Sequence, residues 1–151
     1  KDCMEKGPKM EFPVAGVRIT IDDGAYHAVD SSEMAFKIAA SKAFRQALQK
    51  AKPILLEPIM DVTVVVPERF MGDIMGDLNS RRGKISGMEP QDGTQKIKAK
   101  VPKSELFNYA TDLKSITGGY GYFTMDFSNY EKVPSETSDE IIEEHRQQEE
   151  D

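Results

Sequence analysis

Apolar and polar residues alternate singly through Gly16-Val17-Arg18-Ile19-Thr20-Ile21-Asp22, the period of a strand with one buried face. Asp22-Asp23-Gly24 ends that run with turn chemistry, and a polar loop follows through Ala25-Tyr26-His27-Ala28-Val29. From Asp30 the period lengthens. Asp30-Ser31-Ser32-Glu33 reads as a helix entry in which Asp30 caps the free amides and Glu33 reaches back. Phe36, Ala40, Ala43, Phe44, Ala47, Leu48 and Ala51 then share a face, with Lys37, Lys42, Arg45, Gln49 and Lys50 opposite, until Pro53 stops the helix. One strand and one helix cannot bury both sides of a sheet, so residues 1–53 read as half of an α+β module.

Beyond Ile54 the pattern is richer. Residues 57–66 form a strand through the β-branched run Val62-Thr63-Val64-Val65-Val66. Pro67 opens a helix whose Met71, Ile74, Met75 and Leu78 share a face and which Gly83 closes. Two strands follow, residues 84–89 and 94–101, joined by a turn at Pro90-Gln91-Asp92-Gly93. In the second of them Ile97, Ala99 and Val101 face one way and Lys96, Lys98 and Lys100 the other. Pro102 precedes a helix carrying Leu106, Tyr109, Ala110, Leu113 and Ile116, ended by Gly118-Gly119. The last strand covers residues 120–127, with Phe123, Met125 and Phe127 on its buried side. The order β-α-β-β-α-β is the split βαβ of the ferredoxin-like fold, a four-stranded antiparallel sheet with two helices on one face. Residues 54–132 form this module, and residues 133–151 remain as a tail.

Charge matters only through its placement. The net charge is −6, but residues 133–151 hold eight acids against Arg146, so the rest of the chain is near neutral. The acidic tail therefore reads as solvated and weakly ordered. Cys3 is the only cysteine, which excludes an internal disulfide or a cysteine-built metal site and suits a reducing, cytoplasmic setting. No apolar run approaches the length of a membrane span. The opening Lys1-Asp2-Cys3-Met4-Glu5-Lys6-Gly7-Pro8 resembles the frayed end of a charged helix, not a targeting segment, and the chain reads as cut from something longer.

Several strings, in order, resemble the end of bacterial elongation factor G, the translocation GTPase. They are Tyr26-His27-Ala28-Val29-Asp30-Ser31-Ser32-Glu33-Met34-Ala35-Phe36-Lys37, Leu55-Leu56-Glu57-Pro58-Ile59-Met60, and Met71-Gly72-Asp73-Ile74-Met75-Gly76-Asp77-Leu78-Asn79-Ser80-Arg81-Arg82-Gly83. Gly87-Met88-Glu89-Pro90 and Tyr109-Ala110-Thr111-Asp112-Leu113 complete the set. The resemblance implies that residues 1–53 are the second half of the fourth domain, an S5-domain-2-like module, and residues 54–132 the fifth domain. It implies a partner, the ribosome: the fourth domain's tip at the small-subunit decoding region, the fifth near the large-subunit stalk base and the sarcin–ricin loop. It also implies that GTP and Mg are bound elsewhere in the parent, with no cofactor in this piece. The sequence departs from the family at Tyr120-Gly121, where Arg-Gly is common; Tyr120 removes a phosphate-binding guanidinium.

The resemblance implies a ribosome-probing tip at Gly24, Tyr26, His27, Asp30, Ser31 and Ser32. His27 can donate to a phosphate or stack on a base, while a histidine without a role on a surface loop is the plainer reading. Arg81-Arg82-Gly83-Lys84 is a compact basic knot: Arg81, Arg82 and Lys84 either complement a helix C-terminus or hold rRNA phosphates. The Lys96, Lys98 and Lys100 stripe reads as a solvated sheet face. Gly119-Tyr120-Gly121-Tyr122-Phe123 resembles an RNA-recognition-motif string, but it falls on the fourth strand and has no aromatic partner on the first. No phosphate-binding glycine loop, metal pattern or catalytic constellation is present, so no catalytic residue is assigned. The alternative function is a stand-alone ribosome-associated regulatory module, or one that binds RNA or protein. The half domain's free edge is expected to favour pairing with a second copy.

Overall fold

The computed structural model describes residues 2–5, 7 and 12–150. By internal contacts the chain divides into two compact units, Leu56–Val133 and the pair of segments Lys1–Leu55 and Pro134–Asp151.

In the second unit, β1 (Leu56–Pro67) is followed by a 3₁₀ turn (Glu68–Phe70), α3 (Met71–Ser80), β2 (Lys84–Gln91) and β3 (Thr94–Pro102). A second 3₁₀ turn (Lys103–Leu106), α4 (Tyr109–Thr117) and β4 (Tyr122–Lys132) complete it. The strands lie in the order β2-β3-β1-β4 and every pairing is antiparallel, the ferredoxin-like arrangement expected. The core is a single layer between sheet and helices: Met60, Val62, Val64 and Val66 of β1, Ile97, Ala99 and Val101 of β3, and Ile74, Leu78, Leu106, Tyr109 and Leu113 from the helical side. Alternation does the sorting. Asp61 and Thr63 lie between the core valines and face away from the helices.

The β2–β3 turn is tighter than the four-residue version expected. Only Asp92 (φ 42°) and Gly93 (φ 78°) lie between Gln91 and its partner Thr94, the left-handed pair that a two-residue hairpin needs. Both outer strands carry one extra residue. Ser86 is skipped where Ile85 pairs Ala99 and Gly87 pairs Lys98, and Ser128 where Met60 pairs Phe127 and Ile59 pairs Asn129. The last strand runs to Lys132, five residues past its expected end, because the twelve-residue β1 offers it partners that far. Phe123 packs on the core as expected. Met125 and Phe127 share its face but stay exposed, Phe127 at 56%, because β4 is an edge strand.

In the first unit, α1 (Asp2–Glu5) and α2 (Glu33–Lys50) are helical. The remaining residues of the opening segment, Lys1, Lys6 and Pro8, lie outside those described. The strand expected at residues 16–22 does not form: the backbone there joins no ladder, and Ile19 and Ile21 are 59% and 85% exposed. Alternation makes a segment ready to pair, but none of the described residues pairs with it. The face expected along α2 is likewise open, with Phe36 exposed and Leu48 the one buried residue of the helix. The tail also differs from expectation. Residues 135–150 form a helix, α5 (Ser135–Glu150), because Glu, Gln and Arg are good helix formers and neither Gly nor Pro interrupts them. Glu136 sits at the positive end of its dipole.

Candidate functional site

The loop before α2 is closed by two hydrogen bonds between the same residues. The His27 amide donates to Ser31 Oγ at 2.7 Å, and the Ser31 amide donates to the His27 carbonyl at 3.1 Å. This small ring presents Tyr26, His27 and Val29 outward, all exposed. Gly24 and Asp30 are exposed on either side of it. Ser32, not Asp30, caps the helix: its backbone is extended (φ −112°, ψ 165°) and its Oγ accepts from the Ala35 amide at 3.1 Å. Asp30 lies in the turn one residue before Ser31, too early to reach the first free amides. The loop is thus fixed at its base and bare at its apex. It holds donors and an imidazole but no cluster of acid–base groups.

The basic knot has a different character from the one expected. Arg81 donates from Nε and Nη2 to the two carboxylate oxygens of Asp77 (3.0 and 3.1 Å), from Nη2 to Asp112 (2.6 Å) and from Nη1 to the Glu105 carbonyl (2.8 Å). Arg82 forks onto Glu57 with two 2.8 Å bonds and donates from Nε to Glu105 at 2.9 Å. Hydrogen bonds donated to Asp77 and to Glu57 respectively hold both guanidiniums even more firmly protonated than usual, against the opposing effect of burial. These two side chains tie the end of α3 to β1, to the turn before α4 and to α4 itself. Their N–H groups are aimed at protein acceptors. Lys84 differs: its side chain is 77% exposed and only loosely paired with Glu131 at 3.4 Å. Sequence reasoning missed the four acceptors, of which only the Asp77–Arg81 spacing of four residues along a helix gave a local signal.

The helix-free face of the sheet is polar. Lys100 pairs with Asp61 at 2.9 Å and also donates to Ser128, and Lys98 pairs with Glu89 at 2.5 Å. The Lys100 hydrogen bond first, then Ser128, hold the Asp61 carboxyl below its ordinary range, and the Lys98 hydrogen bond does the same for Glu89. Lys96 stands opposite Glu89 in the β2–β3 pair, and its charge also lowers the pKa of that carboxyl. Tyr122 is the only aromatic placed on this face, beside Val65, so no two-strand stacking platform exists. No group of His, Cys, Asp and Glu among the described residues could hold a metal ion, and no described helix is long and apolar enough to cross a membrane.

Comparison with known proteins also divides the chain near residue 53, with the second match carried on into α5. A family described as "Elongation factor G, domain IV" matches residues 1–52, and one described as "Elongation factor G C-terminus" matches residues 54–141. Among solved structures, a crystal structure of a protein from Thermus thermophilus is similar, with a TM-score of 0.87 and 41% sequence identity. The match covers 97% of this chain and 22% of that one, so the chain spans less than a quarter of its relative.

Proposed function

The chain belongs to the elongation factor G family, and on that premise we propose that it is the ribosome-docking part of a translational GTPase that promotes tRNA–mRNA translocation. The observation that carries this reading is the pair of family matches, in order and nearly end to end. The described residues support a binding role by their chemistry. The loop at residues 24–32 is closed at its base by two hydrogen bonds and exposes Tyr26 and His27, which suits insertion beside RNA at the small-subunit decoding region. In the second unit, Lys84 is the residue of the basic knot available to an rRNA phosphate at the stalk base or sarcin–ricin loop; Arg81 and Arg82 shape the surface beneath it. GTP and Mg belong to the parent, whose hydrolysis would drive the movement this piece transmits.

The test is co-sedimentation of the chain with ribosomes, followed by chemical footprinting of the parent protein. Protection of decoding-region RNA that weakens in His27→Ala supports the reading. A chain that stays in the supernatant at low salt, together with a parent that protects no small-subunit RNA, overturns it.

A further inference from the structure

Two Asp–Gly pairs occur along the chain, Asp23-Gly24 and Asp92-Gly93. In such a pair the residue after the aspartate has no side chain, so its amide nitrogen has open access to the carboxyl carbon. The two pairs are held very differently. At the first, the Gly24 amide lies against its neighbour's carboxylate and donates to Asp23 Oδ1 at 2.7 Å. Both residues are exposed and their backbone joins no ladder. A Cβ placed on Gly24 would meet nothing within 4 Å. At the second, Asp92 and Gly93 are the two central residues of the β2–β3 turn, both left-handed, at φ 42° and 78°. Gln91 and Thr94 pair across the ladder on either side of them, and Thr94 Oγ1 donates to the Gln91 carbonyl at 2.5 Å. Among the described residues no hydrogen bond joins the Asp92 carboxylate to the Gly93 amide.

We propose that Asp23 is a modification site, at which the aspartate rearranges through a cyclic imide to isoaspartate without an enzyme. The Gly24 nitrogen attacks Asp23 Cγ and a C–N bond forms. The carboxyl hydroxyl leaves with the amide proton as water, and the imide closes. Water then adds back at one of two carbons. At Cγ it reverses the closure; at the Asp23 main-chain carbonyl carbon it breaks the original peptide bond and leaves isoaspartate. One water is lost and one regained, so no oxidant or cofactor is required. The hydrogen bond already holds the attacking nitrogen beside the carboxyl group, and backbone outside any ladder can rotate to complete the approach. Asp92 reaches the same geometry only by opening its hairpin. In the product the main chain runs through Cβ and Cγ, one methylene longer, and the free carboxylate sits on Cα. That longer link stands just before the ring closed by His27 and Ser31, so it redirects the chain's entry into the loop. The chemistry is the loop's own and needs no ribosome.

The experiment holds the full chain at physiological temperature and neutral pH in oxygen-18 water, beside a linear peptide of residues 18–29. Isoaspartate is read by methyl transfer from radiolabelled S-adenosylmethionine, with an isoaspartate methyltransferase as the probe, and is placed by peptide mapping. Label should accumulate at position 23 within several-fold of the peptide's rate, with oxygen-18 gained in the same fragment, while Asp92 lags well behind. Gly24→Ala should slow the labelling several-fold, because its methyl group shields the nitrogen. Asp23→Glu should lose the signal at that position, because one more methylene disfavours ring closure. Both substitutions point into open solvent and should keep the circular dichroism of the unaltered chain, which separates a chemical effect from a folding one. No label at position 23 of the folded chain, label at position 92 that matches it, or Gly24→Ala labelling as fast as the unaltered chain would each overturn the site.

Discussion

Arg82 is held at φ 59°, a left-handed backbone position, while its side chain forks onto Glu57 and reaches Glu105. Two opposing effects therefore meet at one residue, and two substitutions separate them. Truncation to alanine removes the clamp and leaves Glu57, a largely buried carboxylate, without its cation. A fully buried pair costs about 3–5 kcal/mol to break and an exposed one under about 1, so this half-buried clamp should cost about 2–3 kcal/mol. Arg82→Ala keeps the backbone cost, about 1–2 kcal/mol for an L-residue in that region. Arg82→Gly removes that cost but gains about 0.5–1 kcal/mol of unfolded-state freedom. Glycine should thus be the milder change by about 0.5–1 kcal/mol. Urea unfolding followed by circular dichroism, read at equal slopes, measures both differences. If Arg82→Gly proves the less stable of the two, the backbone argument is wrong. If Arg82→Ala unfolds with the midpoint of the parent chain, the clamp contributes nothing.

Tyr109 is fully buried, its hydroxyl has no hydrogen-bond partner, and burial pushes its pKa well up. Tyr109→Phe keeps the edge-on contact with Phe123 and should raise stability by about 1–2 kcal/mol, read from the urea midpoint. Gly83→Ala should destabilise by about 2 kcal/mol or more, because its Cβ would stand 2.5 Å from the Leu78 carbonyl oxygen; an unchanged melting temperature would count against it. Asp61 and Glu89 have depressed pKa values, so their contribution is present above their ordinary values of 3.8 and 4.5 and is lost as the pH falls through the lower folded values. The double variant Asp61→Asn, Glu89→Gln should accordingly show a shallower fall in stability below pH 4.5 than the parent chain.

The ferredoxin-like unit was legible because its core-facing apolar positions on β1, β3 and the helices meet one another inside the same 78 residues. Val62, Val64 and Val66 alternate with residues of the open face, and Ile97, Ala99 and Val101 answer them across the sheet. The first unit was not legible in the same way. Val17, Ile19 and Ile21 alternate just as cleanly, yet periodicity states only that a face is available, not what meets it. The arginine clamps escaped for another reason: Glu57, Glu105 and Asp112 stand 25, 23 and 31 residues from the side chains they hold, and no local pattern links them. Gly83 was read as the residue that closes α3, but Arg82 takes the left-handed conformation there and Gly83 is needed for its close approach to Leu78. The tail misled through its charge, since the same glutamates that suggest solvation also favour helix.

The two inserted serines, one on each rim of the sheet, give the second unit a built-in insulation. A foreign strand that tried to extend the sheet would find its hydrogen-bonding repeat interrupted a few residues from either end. The domain can therefore sit in a crowded assembly, with its outer strands uncovered, and still decline to polymerise.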